Sequence, residues 1–152
     1  MPLILLVGAV FLFMALGASK AYAYVKGKPT FVDLSPIGGG FYLRYDAAKA
    51  FVAMRQQASS EGVTLRAESA FRTMEEQEKL YASFQQGTGN LAATPGFSNH
   101  QSGIAVDISV GSTFASKEYR WLADNGGKYG FVNVGASFTQ QREPWHWEYR
   151  LA

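Results

Sequence analysis

The pattern of hydrophobic and polar positions divides the chain into an apolar start, a short Pro/Gly-rich stretch and a long region of mixed periodicity. Residues 2–19 are almost wholly apolar and carry no charged side chain. A run of this length lies between the core of a signal peptide and a minimal membrane span. We therefore predict that residues 1–25 form a hydrophobic helix that acts as an export signal or a membrane anchor. The Pro/Gly-rich residues 26–40 are predicted to be a linker.

The sequence does not decide whether the apolar run is cleaved off or retained. Residues 21–23 begin and end with alanine, as at a signal-peptidase site, and cleavage there would make Tyr24 the first residue of the mature chain. The first lysine, Lys20, follows the run, and by the positive-inside rule this argues against a plain secretory signal. A retained run would associate with a membrane through residues 2–19. Either way we expect export to the cell envelope, in the periplasm or anchored to the membrane; a buried core helix is the alternative.

Residues 41–152 combine helical and strand periodicity and are predicted to be one folded domain. Apolar positions at helical spacing predict three helices. The first follows an N-cap at Asp46, the second is opened by a capping box of Thr73 and Glu76, and the third begins at Ser116. Alternation and short apolar runs predict four strands, over residues 63–67, 104–110, 131–134 and 145–150. This order of elements predicts an α+β fold, in which helices pack against a small antiparallel sheet.

The composition narrows the classes of function. With 47% hydrophobic residues among 152, the chain can bury a proper core. Its net charge of +2 is spread without a Lys/Arg run, so we do not expect a nucleic-acid partner. Cysteine is absent, and any metal must therefore be held by histidine, aspartate or glutamate.

The two histidines of the chain lie in two separate segments, each with a carboxylate nearby. The first segment contains His100 and, seven residues later, Asp107 on a predicted strand. Alternation along that strand buries Ile104 and Val106 and leaves Asp107 on the opposite face. Alone, this pair is weak evidence for a metal site, because a surface histidine beside a strand-end aspartate gives the same pattern.

The second segment adds a third ligand and a spare carboxylate. His146 lies on the last predicted strand, where alternation places it on the same face as Glu148. Two imidazoles and one carboxylate suit zinc and leave a coordination position open, as catalysis requires. Glu143 precedes His146 by three residues and is suited to be a general base, although a solvated loop residue would give the same pattern. These residues together indicate a small hydrolase with one zinc ion.

The two segments together resemble the LAS-type zinc peptidases. The matching residues are Ser98, His100, Gly103, Ala105 and Asp107, followed by Glu143 and His146. Residues 69–73 with Gln77 also resemble the arginine-bearing turn of that family. Within it, the chain is most similar to the VanY-like D-alanyl-D-alanine carboxypeptidases, over about residues 41–149.

The resemblance implies a role for each matching residue. The zinc ligands would be His100, Asp107 and His146. Glu143 would be the catalytic base, and Arg72 would hold the substrate and stabilise the oxyanion of the tetrahedral intermediate. Ser98 and Gln77 would line the substrate site. The expected activity is hydrolysis of a peptide bond in the peptidoglycan stem, by an enzyme expected to be a monomer.

Other functions are compatible with some of the same residues. A phage-type peptidoglycan endopeptidase would use the same site in a groove open at both ends, and would be virion-associated. A non-catalytic zinc-binding module of the same fold is disfavoured by Glu143, because loss of the base would mark such a protein. A non-haem iron oxygenase also uses two histidines and a carboxylate, but on an almost all-β fold and with closer ligand spacing.

Overall fold

The computed structural model describes residues 19–150, which form two antiparallel sheets and three α-helices. The strands are β1 (Ser19–Val25), β2 (Lys28–Gly38), β3 (Phe41–Arg44), β4 (Ala67–Ser69), β5 (Ala105–Ile108), β6 (Phe131–Val132) and β7 (His146–Tyr149). The helices are α1 (Tyr45–Ser60), α2 (Met74–Gln85) and α3 (Lys117–Asn125). The predicted α+β class, with antiparallel strands and packed helices, is confirmed.

The predicted linker over residues 26–40 is wrong, because most of it belongs to a sheet. β1, β2 and β3 form a three-stranded antiparallel sheet. Along β2 exposed and buried residues alternate, with Val32 and Leu34 facing inward. The glycines belong to tight turns: Lys26 and Gly27, both with positive φ, connect β1 to β2. Turn signals inside a sheet were thus mistaken for a linker.

The predicted N-terminal hydrophobic helix lies largely outside the described residues. Its last part, Ser19–Val25, is strand β1 and not helix. Among residues 19–150, no helix is long and apolar enough to cross a membrane.

The predicted helices are present, each close to its expected start. α1 begins at Tyr45 and buries Phe51 and Met54. The predicted N-cap at Asp46 is wrong, because the N-cap is Arg44 and Asp46 lies in the first turn of the helix. α2 has the predicted capping box, since the Thr73 hydroxyl accepts the Glu76 N–H and the Glu76 carboxylate accepts the Thr73 N–H. α3 begins after Ser116, whose hydroxyl accepts the N–H of the third helical residue.

A four-stranded antiparallel sheet, in the order β4-β5-β7-β6, carries the rest of the domain. The strand predicted over 63–67 begins only at Ala67, although Val63 and Leu65 are buried as the apolar pattern requires. The main hydrophobic core joins α1 and α3 to the inner face of this sheet, with Phe51, Leu122 and Trp147 among its members. Two predicted metal ligands lie on the opposite face, where the β5–β7 register sets Asp107 beside His146.

Candidate metal centre and active site

The structure brings together the three residues predicted to bind a metal. The His146 Nδ1 atom lies 3.0 Å from Asp107 Oδ1. The His100 Nε2 atom lies 3.4 Å from the same oxygen and 3.3 Å from His146 Nδ1. One donor atom from each residue therefore belongs to a cluster within 4.8 Å, although the three residues lie up to 46 positions apart in the chain.

The outer contacts of the two imidazoles determine which nitrogen of each ring carries the proton. His100 Nδ1 lies 2.7 Å from the Ala70 carbonyl oxygen, which can only accept, so this nitrogen is the donor. His146 Nε2 lies 3.0 Å from Glu148 Oε1 and donates to that carboxylate for the same reason. In the neutral rings, His100 Nε2 and His146 Nδ1 therefore carry no proton, and each has a free lone pair. Both face the Asp107 carboxylate, and such a group of three acceptors requires a shared cation.

The electrostatics of the cluster agree with a site built for positive charge. Burial alone would lower the pKa of His146, but the Asp107 and Glu148 carboxylates that accept from it raise the pKa to about 9. Burial alone would raise the pKa of Asp107, yet the hydrogen bonds and charges of His100 and His146 hold it well below its usual range. A proton on His146 thus occupies, in the metal-free protein, the place that suits a divalent ion. Two imidazoles and a carboxylate with one open position are the donor set of catalytic zinc.

The loop that carries His100 is a compact turn held by backbone bonds. The Ser98 hydroxyl oxygen accepts the His100 N–H at 3.3 Å, and the Gly103 N–H bonds the His100 carbonyl at 3.1 Å. Gly103 has φ +75°, and a Cβ there would meet the Arg44 side chain at 2.9 Å. Ser98 therefore shapes the loop; its predicted contact with the substrate stays a prediction.

Arg72 lies at the edge of the site and is held by neighbouring polar groups. Its guanidinium donates to Gln77 Oε1 at 2.7 Å and to the Ser69 hydroxyl at 3.3 Å, and its backbone N–H bonds the His100 carbonyl. Burial lowers the pKa of Arg72, opposed by the nearby carboxylates, with Asp107 first among them. Arginine stays charged in any case, so the site holds a fixed cation beside the candidate metal ligands.

Gln77 was predicted to line the substrate site, but its side chain is fully buried inside the protein. Its amide oxygen accepts from Arg72, and its amide nitrogen donates to the Ala93 carbonyl at 2.7 Å. Both ends of the amide are thus used within the fold. Any contribution of Gln77 to substrate binding therefore acts through Arg72.

Glu143 lies at the start of the segment that ends in His146. Burial raises the pKa of Glu143, and Asp107 adds to that shift, whereas His146 and Arg72 oppose it. Its backbone N–H donates to the Gly135 carbonyl at 2.9 Å. A partly buried carboxylate with a raised pKa is suited to accept a proton and pass it on near neutral pH.

Comparison with known proteins places this arrangement in a family. Residues 40–151 match the model of the VanY family, described as D-alanyl-D-alanine carboxypeptidase. The chain belongs to the VanY family. YodJ of Bacillus subtilis (strain 168) is 32% identical over 126 residues, which cover 71% of this chain and 46% of YodJ. A D-alanyl-D-alanine carboxypeptidase of Enterococcus faecium is 30% identical over 121 residues, covering 74% of this chain and 39% of that protein.

A solved structure has the same fold. The vancomycin resistance D,D-pentapeptidase VanY from a VanB-type resistance cassette, a mutant in complex with Zn(II), matches with a TM-score of 0.62 and 26% identity. The match covers 78% of each chain. The chain spans less than half of the length of the two curated relatives.

Two groups of this VanY-family site were not assigned from the sequence. Alternation placed Glu148 on the same face as His146, but it was not assigned from the sequence to hold the imidazole. The available signal was a second carboxylate two positions along the strand. The Ala70 carbonyl that orients His100 gives no sequence signal, because any residue supplies a backbone carbonyl. The contact depends on the fold alone.

Proposed function

We propose that this chain hydrolyses peptide bonds in peptidoglycan stem peptides with one zinc ion, as a D-alanyl-D-alanine carboxypeptidase. One observation carries the proposal: two bare imidazole nitrogens and the Asp107 carboxylate converge, with Glu143 and Arg72 beside them. Membership of the VanY family and the Zn(II) of the structural relative support it.

The metal would be held by His100 Nε2, Asp107 Oδ1 and His146 Nδ1. When bound, zinc supplies Lewis acidity, which polarises a carbonyl and lowers the pKa of a water molecule. Glu148 and the Ala70 carbonyl keep the two imidazoles in the tautomers that present bare nitrogens inward.

Glu143 is the proton carrier of the proposed reaction. Its carboxylate takes a proton from the attacking water and delivers it to the nitrogen of the leaving D-alanine. Burial raises the pKa of Glu143, which makes the carboxylate a stronger proton acceptor than an exposed glutamate. A non-catalytic zinc module has no use for a carboxylate in this position.

Arg72 supplies a fixed positive charge for the substrate. Because Gln77 and Ser69 hold the guanidinium, it does not have to reorganise as negative charge develops on the scissile carbonyl oxygen. The substrate carboxylate is a second group that it would bind, since a guanidinium matches the geometry of carboxylates.

The cellular setting is part of the proposal. A peptidoglycan substrate requires export to the cell envelope, in the periplasm or at the membrane, and the apolar residues 2–19 would provide the signal or the anchor. For a phage-encoded chain the equivalent location is the virion. We propose a monomer, since the site uses residues of one chain.

The experiment is mass spectrometry of purified muropeptides incubated with the zinc-loaded protein. Loss of a single terminal D-alanine is the expected product, whereas cleavage within a stem or a cross-link would replace the carboxypeptidase with an endopeptidase. Glu143→Gln should bind zinc and cleave at least about a hundredfold more slowly. Turnover by Glu143→Gln at the wild-type rate would refute its role as the base.

A further inference from the structure

Asn133 follows β6 and belongs to none of the motifs that define the site, yet its side chain contacts the segment that carries Glu143 and His146. The Asn133 Nδ2 atom lies 2.8 Å from the carbonyl oxygen of His146. It lies 3.3 Å from the carbonyl oxygens of both Glu143 and Pro144. One amide group thus reaches three backbone carbonyls within four consecutive residues.

The hydrogen-bond chemistry fixes the orientation of this amide. Carbonyl oxygens only accept, so the nitrogen of Asn133 must face them, and its oxygen must point away. At that oxygen, the Tyr119 hydroxyl donates across 3.4 Å. With two N–H bonds available, one serves His146 and the other is shared by Glu143 and Pro144.

A backbone contact two residues later holds the same segment from another direction. The Gly135 carbonyl accepts the Glu143 N–H at 2.9 Å. A Cβ at Gly135 would overlap the Glu143 carbonyl, so only glycine permits this approach. Residues 133–135 therefore contact Glu143 at both its N–H and its carbonyl.

The side chain and the strand of His146 make further hydrogen bonds, whereas the bonds found for Glu143 are to its backbone. The β5–β7 ladder sets His146 opposite Asp107, and its ring is bonded to Asp107 and Glu148. The hydrogen bonds of Glu143 are backbone bonds, to Asn133, to Gly135 and to the His146 N–H. Loss of the Asn133 amide should therefore displace the base more than the metal ligand.

We propose that Asn133 is a positioning residue, whose amide sets the distance between the Glu143 carboxylate and the metal ligands. The inference rests on the proposed function, in which Glu143 accepts the proton. A displacement of about 1 Å at a reacting group can cost up to about a hundredfold in rate. The effect should appear in kcat, because the amide contacts the segment that carries the base, whereas the Arg72 guanidinium is held by Gln77 and Ser69.

The test compares Asn133→Ala with a matched variant, Asn125→Ala. Asn125 also donates its amide to a backbone carbonyl, that of Trp121, at 3.0 Å, but it lies at the end of α3. For Asn133→Ala we expect kcat on a D-alanyl-D-alanine peptide to fall about 10- to 100-fold, with KM within about threefold. Zinc affinity, measured by competition with a chelator, should stay within about threefold of the wild type. Asn125→Ala should keep the wild-type kcat.

A milder variant keeps the proposal testable if Asn133→Ala does not fold. Tyr119→Phe retains the ring and removes only the hydroxyl that holds the other end of the amide. We expect it to lower kcat by about two- to threefold without a change in zinc affinity.

Three results would overturn the inference. One is a wild-type kcat in zinc-loaded Asn133→Ala or, if that variant does not fold, in Tyr119→Phe. Another is a loss of zinc affinity that matches the loss of kcat, because the amide would then act on His146 instead of Glu143. If the wild-type protein itself does not hydrolyse the peptide, the proposed function fails first, and this inference fails with it.

Discussion

The two sheets of the domain contribute to the candidate metal centre in different ways. The four-stranded sheet supplies Asp107 and His146 from adjacent strands, above the main core. The three-stranded sheet supplies no ligand. Its residues Ala23, Val32 and Leu34 form a small separate cluster, while Ile37 and Leu43 join the main core. It also leaves the paired rings of Tyr22 and Phe31 more than half exposed.

The three-stranded sheet nevertheless holds the loop that carries the third ligand. The Tyr24 N–H bonds the Gln101 carbonyl at 3.0 Å, and the Arg44 N–H bonds the Gly103 carbonyl at 2.8 Å. His100 directly precedes the first of these two anchored residues. Two ligands therefore depend on a strand register above a large core, whereas the third depends on backbone bonds from a smaller sheet.

The largest expected effect is on the core beneath the four-stranded sheet. Phe51→Ala removes a fully buried ring that packs against Phe131, and should lower the free energy of unfolding by about 3–5 kcal/mol. Phe31→Ala, in the exposed pair of the other sheet, should cost less than about 1 kcal/mol. Denaturant unfolding of both variants measures the difference. Equal losses would contradict the assignment of stability to one core.

The second prediction concerns pH and metal removal. In the metal-free protein His146 has its pKa raised to about 9 from 6.5, so the folded state holds a proton that the unfolded state releases. Stability should therefore fall as pH rises from about 6.5 to about 9, by about 3 kcal/mol.

Zinc should remove this pH dependence of stability, because a bound ion replaces the proton. The apparent zinc affinity should rise over the same pH interval, since the ligand must lose its proton to bind. Thermal unfolding with and without zinc, at pH values between 6 and 9, measures both effects. Metal-free stability that is constant or rises over this interval would show that His146 carries no such proton.

The third prediction separates the ligand support within the four-stranded sheet. Glu148→Leu removes the acceptor of the His146 N–H and should weaken zinc binding by about 10- to 100-fold. Glu68→Leu, at an exposed position of β4 in the same sheet, should leave zinc affinity unchanged. Chelator competition gives both values. If Glu148→Leu binds zinc as tightly as Glu68→Leu, the carboxylate does not orient the imidazole.

The smallest expected effect tests the connection between the three-stranded sheet and His100. Gly103→Ala introduces a Cβ at a positive φ and against Arg44, which should cost about 1–2 kcal/mol of stability. Zinc affinity should fall several-fold through His100. Gly111→Ala, also at positive φ but with open space around it, is the control for backbone strain alone. Equal zinc affinity in the two variants would argue that the loop does not need this anchor.

The sequence predicted the site better than the sheet around it. The three predicted ligands do lie together. Alternation along the strands already defines the faces that Asp107 and His146 occupy, and the short polar motif supplies His100. The capping box at Thr73 and Glu76 was predicted for a similar reason, since it is local. The strand β2 was missed, because its pairing partners are set by contacts that the local Pro/Gly pattern does not reveal.

Residues that act through others were the hardest to predict. Gln77 was predicted to line the substrate site, but its side chain is buried and bonds the Arg72 guanidinium and the Ala93 carbonyl. Asn133 gave no signal, because its three acceptors are backbone carbonyls brought to it by the β6–β7 pairing. Such contacts join residues that are far apart in the chain, so a local sequence pattern does not predict them.

The most direct test of the metal centre is the zinc content of the purified full chain. After incubation with zinc and removal of the excess, elemental analysis should find about one zinc ion per chain. His146→Ala should lose most of it, while Glu143→Gln should retain it. Much less than one zinc per chain in the wild type, with His100 and His146 both intact, would contradict the account.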